Sequence, residues 1–178
     1  MKTKFFINLL AVLVIATSCK NDNKEEKAVP AGKQFFSVEE DIVAETMDDF
    51  AVYYTETGKN DFIPTQVVWK GVKGGLVKET VSFDLPEQII PTNIRLDFGV
   101  KKERKDVVLE RLKLSYYDKT FEIKGSEFLN YFIVNPAVPT EVDAAKGTIK
   151  LIKDPKNQEG TYFYPRQELL DQLAKMTK

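Results

Sequence analysis

From Gln34 onward the apolar residues of this chain recur mainly at every second position, the period of a strand with one face against a core. Phe50, Val52 and Tyr54 alternate with Ala51, Tyr53 and Thr55. Val77, Val81, Phe83 and Leu85 alternate with Lys78, Thr80, Ser82 and Asp84, and Pro86, which has no amide to donate, ends that strand. Ile94, Leu96 and Phe98 alternate with Arg95 and Asp97 and stop at Gly99. Phe36, Val38, Ile42 and Ala44 fit the same alternation; Ser37-Val38-Glu39-Glu40 also matches a helix capping box, but the period favours a strand.

Two irregularities refine this pattern. Gly74-Gly75, between Val67–Trp69 and Val77, supplies the positive φ angles of a tight turn and predicts a hairpin joining those two segments. Along 107–116 the phase changes: Val107 and Leu109 share a face with Leu112, Leu114 and Tyr116 only if one residue is inserted, which predicts a β-bulge at Glu110-Arg111. Phe121 and Ile123 continue after an Asp118-Lys119 turn, and Ile149 with Leu151 forms a late strand ended by Asp154-Pro155. About eight short strands predict a mainly β fold, an antiparallel β-sandwich of jelly-roll-like form.

Helix is expected in two places. Ser126 followed by Phe128, Leu129, Tyr131 and Phe132 predicts one or two turns crossing an edge. Pro165 in a first-turn position precedes the stripe Leu169, Leu170, Leu173 and Met176, which predicts a short C-terminal helix over 166–177. A helix of about a dozen residues is marginal alone in water, so this one is expected to dock on the sandwich.

The first eighteen residues follow another rule. Lys2 and Lys4 precede an apolar run, Phe5 to Ala16, broken only by Asn8, which is the pattern of an export signal. Its roughly 18 Å of helix is short of the ~30 Å hydrocarbon core, so a permanent span is not expected. Ile15-Ala16-Thr17-Ser18-Cys19 leads to the only cysteine of the chain. This segment resembles the lipobox of bacterial lipoproteins, with Ala16 where the motif most often has Leu. The resemblance implies cleavage before Cys19, lipidation of its thiol and attachment to a membrane; the plainer alternative is an ordinary secretory signal cut elsewhere. A lone thiol in an oxidising compartment is a liability that acylation removes, and several acyl chains at ~0.8 kcal/mol per buried CH₂ hold stably.

Residues 19–33 carry almost no apolar content and read as a tether, leaving 34–178 as one domain. Cys19-Lys20-Asn21-Asp22 is similar to the signal that sends lipoproteins of Bacteroidota-type bacteria to the outer face of the outer membrane, which implies a surface location; Asn21 interrupts the acidic pair, which leaves a periplasm-facing location open, and a generic charged linker is the plainer alternative. Val81 to Pro86, Ile94 to Gly99 and Leu109 to Leu114 together resemble a β-sandwich module of Bacteroidota envelope proteins, over roughly residues 50–132. Modules of that kind often bind glycans, but fold alone does not assign function.

Composition removes several functions. A formal net charge of −1 leaves no basic excess for phosphates, so no nucleic-acid partner is expected. With no histidine, and the one cysteine reserved for lipid, Ser-His-Asp and Cys-His catalysis and His- or Cys-based zinc or haem sites are excluded. A carboxylate pair, a Tyr, Lys or Arg base, or a carboxylate calcium site would survive, but 27 scattered acids make accidental pairs common. Asn21-Asp22-Asn23 and Asp48-Asp49 lack the context or spacing of a calcium loop. No catalytic residue, metal or cofactor is expected, and the chain reads as no enzyme.

Binding candidates are aromatics on faces that should be solvated, where a sugar ring can stack beside polar groups. They are Tyr53, Trp69, Tyr117, Tyr162 and Tyr164, with Arg95 and Asp97 two residues apart on one face. Each has a plainer reading. Trp69 shares parity with Val67 and is expected in the core, Tyr53 and Tyr117 would lie on a sandwich face covered by the C-terminal helix, Tyr162 and Tyr164 flank Phe163 and would receive that helix, and Arg95 with Asp97 would be a surface ion pair. The primary expectation is a membrane-anchored structural or accessory protein that meets another envelope protein; the alternative is a glycan-binding surface lipoprotein. A contiguous exposed apolar patch favours the first, and a shallow groove with exposed aromatics and convergent polar groups favours the second.

Overall fold

The alternation resolves into eleven strands in two antiparallel sheets, described in a computed structural model for residues 33–100, 105–138, 140–151 and 160–178. The expected signal peptide, Cys19, the tether as far as residue 32 and the Asp154-Pro155 stop lie outside the described residues. The strands are β1 (Lys33–Ala44), β2 (Asp48–Thr55), β3 (Val67–Val72), β4 (Lys78–Asp84), β5 (Asn93–Phe98), β6 (Val107–Tyr117), β7 (Lys119–Lys124), β8 (Phe132–Val134), β9 (Thr140–Asp143), β10 (Thr148–Leu151) and β11 (Thr161–Pro165). A 3-10 turn (Gly125–Glu127) and a one-turn helix α1 (Phe128–Tyr131) precede β8, and helix α2 (Gln167–Met176) ends the chain.

One sheet has the order β4-β1-β6-β10-β9, with β7 also paired to β6; the other is β3-β2-β5-β11-β8. Glu110 is the inserted residue of β6, because Asp41 of β1 faces Arg111 while the next residue, Ile42, faces Leu109. The bulge keeps Leu109, Leu112 and Leu114 all buried. The β6–β7 hairpin turns through Tyr117-Asp118, one residue earlier than the sequence suggests, with Tyr117 at φ +52°.

The expected hairpin through Gly74-Gly75 does not form. β3 pairs with β2 and β4 with β1, so this segment carries the chain from one sheet to the other. It runs beside the β1–β2 crossing, where the Gly75 amide donates to the Glu45 carbonyl at 3.0 Å and the Leu76 amide to the Ala44 carbonyl at 2.9 Å. Gly74 is at φ +73°, and a Cβ there would lie 2.4 Å from the Thr46 carbonyl carbon, so the positive φ serves a close crossing of two backbones. Val77 consequently stands outside the sheet, exposed, one residue before β4 begins.

Between the sheets lies one apolar layer. Phe98 of β5 meets Phe50 of β2 at 5.2 Å, Phe163 of β11 at 5.6 Å and Phe128 of α1 at 6.2 Å between ring centroids, mostly edge to face. Leu169, Leu173 and Met176 bring α2 into the same core. Pro165 is the last residue of β11 and not a helical one; the helix begins after Arg166, whose backbone is extended. Leu169→Asp should place an unpaired charge in this core and lower stability by about 3 kcal/mol; an unchanged melting temperature would show that the helix is not docked.

Glu40 breaks the apolar layer. It occupies an inward position of β1, between Val38 and Ile42 and opposite Val81 and Leu112, and is 1% exposed with no hydrogen-bond partner for Oε2 among the described residues. Burial first, and the charge of Asp97 second, push its carboxyl up to about 8 from an ordinary 4.5. The fold therefore keeps a proton that the unfolded chain releases near pH 4.5. Its stability contribution is complete below that pH and is lost as pH rises through about 8, at roughly 1.4 kcal/mol per pH unit. Urea unfolding at pH 5, 6.5 and 8.5 should show a falling midpoint in the native chain and a much flatter one in Glu40→Gln; parallel profiles would contradict this account.

Candidate functional site

The two outer faces differ in kind. On the β1 sheet, Ser37, Glu39 and Asp41 stand beside Ser115, Lys113 and Arg111 of β6 and Asp84, Ser82 and Thr80 of β4. Arg111 donates from Nε to Asp41 and from Nη1 to Glu122, both at 2.9 Å, and Thr80 donates to Asp41 at 2.7 Å. Burial would raise the Asp41 carboxyl, but the hydrogen bonds from Arg111 and Thr80 and the charges of Arg111 and Lys78 together hold it below the usual range. Lys78 also pairs with Glu110 at 2.6 Å. The charges of this face satisfy one another, although Asp41, Ser37 and Ser115 are themselves buried.

The β2 sheet turns aromatic rings outward. Register places Trp69 of β3 opposite Ala51 of β2, Ala51 opposite Asp97 of β5, and Asp97 opposite Tyr162 of β11. The neighbouring row carries Val67, Tyr53 and Arg95. Ala51, between Trp69 and Asp97 in this row, is fully buried. The result is an open groove of about 290 Å³ lined by Tyr53, Trp69, Arg95, Asp97, Val100, Gly160 and Tyr162.

Arg95 and Asp97 form its polar centre. The guanidinium donates from Nε to Asp97 Oδ1 and from Nη2 to Asp97 Oδ2, each at 2.8 Å, a bidentate pair with side chains only 17% and 9% exposed. Its central carbon lies 4.0 Å from the Tyr53 ring centre and 4.5 Å from that of Tyr162. Burial works against the Arg95 charge, but the hydrogen bonds and charge of Asp97 outweigh it and raise the guanidinium further; burial, then Asp97, raises the Tyr53 hydroxyl. The two charges cancel, and the rings hold the cation in one place. The pair is bidentate and largely buried beside aromatic rings, not the exposed ion pair expected from spacing.

Five candidates from the sequence, Tyr53, Trp69, Arg95, Asp97 and Tyr162, thus meet in one groove. Trp69 does not enter the core as its parity with Val67 suggests. It is 45% exposed, because pairing with β2 sets Val68 opposite the inward Val52 and sends Trp69 out with Tyr53, whose ring it meets at 6.2 Å. Tyr162 and Tyr164 do not receive the C-terminal helix; Phe163 between them is the buried residue. Tyr164 lies beside the groove, stacked on Phe62 at 6.1 Å. Tyr117 is in the other sheet at the β6–β7 turn, its ring against Tyr116 at 4.7 Å, away from this cluster.

Phe62, Val100 and Gly160 come from loops, where alternation carries no signal. Phe62 sits 5.7 Å from the Arg95 guanidinium, on a loop tied down by Thr57 donating to Asp61 at 2.6 Å and by Asn93 donating to the Asn60 side chain at 2.7 Å. The Val100 amide donates to buried Asp48 at 2.9 Å. Gly160 passes so near Gly99 that a Cβ would lie 2.6 Å from its carbonyl oxygen. Among the described residues no group of three or more His, Cys, Asp or Glu is placed to hold a metal ion. Comparison with protein families, with curated proteins and with solved structures finds no match.

Trp69 is the only tryptophan of the chain, so its emission reports on the groove alone. Emission from the folded protein should be red-shifted and readily quenched by acrylamide, and unfolding should change both only modestly; a blue, protected emission would place the ring inside.

Proposed function

We propose that this chain is a non-catalytic, glycan-binding lipoprotein, anchored through acylated Cys19 at the outer membrane and facing the cell exterior. The observation that carries the binding reading is the groove of the β2 sheet, where Trp69, Tyr53 and Tyr162 surround the Arg95–Asp97 pair. The apolar C–H faces of a sugar ring match exposed aromatic rings, while its hydroxyls match a few fixed donors and acceptors. Arg95 cannot move easily, so it presents those groups without an ordering cost at the moment of binding. The absence of histidine in the sequence and the pairing of Asp97 with Arg95 favour recognition over chemistry.

A second reading, an accessory protein docking to another envelope protein, is favoured by a different observation. Met47, Leu76 and Val77 are largely exposed at the sheet-to-sheet crossings, which hydrogen bonds hold side by side. Exposed apolar clusters of this kind suit protein contact.

Trp69→Ala should abolish retention on a polysaccharide affinity gel that retards the native chain, with the melting temperature within about 2 °C because the ring is outside the core. Retention unchanged by Trp69→Ala would remove the groove from consideration. Separately, Cys19→Ser should release the protein from the membrane fraction and abolish labelling by a palmitate analogue; label persisting in the variant would refute lipidation at Cys19.

A further inference from the structure

The loop between β2 and β3, residues 56–66, is held from several sides although most of it is exposed. Thr55 and Thr57 both donate to Asp61 Oδ1, at 3.1 and 2.6 Å. Asn93 of β5 donates from Nδ2 to the Lys59 carbonyl at 3.2 Å and to Asn60 Oδ1 at 2.7 Å, and the Gly58 amide donates to the Thr92 hydroxyl at 2.9 Å. Thr55 and Asn93 face each other in neighbouring strands and are buried, so their ties to the loop are made where water competes little. At the other end of the loop the Gln66 amide donates to the Ile63 carbonyl at 3.0 Å, and the Tyr54 amide to the Gln66 carbonyl at 3.1 Å. A loop tied in this way has little freedom left to lose when a ligand arrives.

In the run from Asp61 to Thr65, Phe62 alone is half-buried; its neighbours are exposed. Its ring lies 5.7 Å from the Arg95 guanidinium carbon and stacks on Tyr164 at 6.1 Å, with 29° between the ring planes. Tyr53 at 4.0 Å and Tyr162 at 4.5 Å bound the same guanidinium, so Phe62 is a third ring about one cation. The two tyrosines are set beside Arg95 by the strand pairs of β2 and β11 with β5. Phe62 is brought there by a loop that Asn93 pins, two residues before Arg95 on the same strand. β5 therefore carries the cation and also holds the ring that bounds it. We propose that Phe62 is a positioning residue of the groove: backed by Tyr164, it holds the Arg95 guanidinium in the orientation that meets the ligand, and loop 56–66 is a preformed wall of the site. This assignment rests on the glycan-binding reading.

The test uses the full lipidated chain in detergent and two measurements. The first is affinity electrophoresis through gels containing a linear β-glucan, a mannan, a xylan, a galactan, polygalacturonate, alginate or heparin. The second is hydrogen exchange of the Arg95 Nε–H, followed by NMR with arginine labelled in nitrogen-15; the chain has four arginines, and the Arg95 signal is the one lost in Arg95→Lys. Phe62→Ala should speed that exchange about tenfold and weaken binding to whichever polymer retards the native chain by about the same factor. Phe62→Tyr should restore both properties, and Phe62→Leu neither, because leucine fills space but offers no ring face to the cation. Retardation unchanged in Phe62→Ala would overturn the positioning role and leave glycan binding standing. Weaker retardation with Arg95 exchange unchanged, or recovery in Phe62→Leu, would also overturn it, since Phe62 would then act on the ligand directly or by bulk alone. No retardation of the native chain by any polymer would instead overturn the glycan reading, and the assignment of Phe62 to a glycan site with it.

Discussion

The structure depends on β5 staying in one register. Its inward residues Ile94, Leu96 and Phe98 are fully buried, and the Phe98 ring joins β2, β11 and α1 in a single aromatic cluster. A slip of one residue would turn Arg95 and Asp97 into that cluster and expose three large apolar side chains, a change the fold cannot absorb. Because the inner face is held so firmly, the outer face is too. Arg95 and Asp97 are set between β2 and β11 by the same backbone pairs that place Leu96 opposite Val52 and Phe163. Core and groove are two sides of one constraint.

The contrast between the outer faces follows from where charges can be satisfied. On the β1 sheet, Asp41, Arg111, Glu122 and Lys78 neutralise one another. On the β2 sheet, one ion pair is roofed by tyrosines and flanked by an exposed tryptophan, which leaves apolar surface in contact with solvent. Glu40 is the exception inside the core. Burial first, and the charge of Asp97 second, keep its carboxyl neutral, so the apolar layer holds no charge there.

Much of this was legible as local pattern. Alternation in Phe50–Tyr54, Val81–Leu85 and Ile94–Phe98 predicts which side chains are buried, the phase change in 107–116 locates the bulge at Glu110, and the leucine stripe locates α2, because each signal is a repeat within one element. Outward aromatics and the Arg95–Asp97 spacing were legible for the same reason. Trp69 was not: β3 has valines of both parities, at 67, 68 and 72, and only pairing with β2 chooses between them. Gly74-Gly75 announced positive φ but not whether the chain would turn back in one sheet or cross to the other, since both need the same backbone angles. Glu40 sat at an inward position of a recognised strand, yet its burial depends on Val81 and Leu112, residues 41 and 72 positions away.

By itself, then, the sequence determined the strand class, the inward and outward set of each clear strand and the short C-terminal helix, all of which depend on neighbours within a few residues. Tertiary structure alone decided that five outward residues from β2, β3, β5 and β11 share one groove, that Phe62, Val100 and Gly160 border it, and that the Glu40 carboxyl is buried in the core. The physical reason is that strand order and register arise from long-range pairing, and a sheet brings together side chains whose separation along the chain carries no trace of their separation in space.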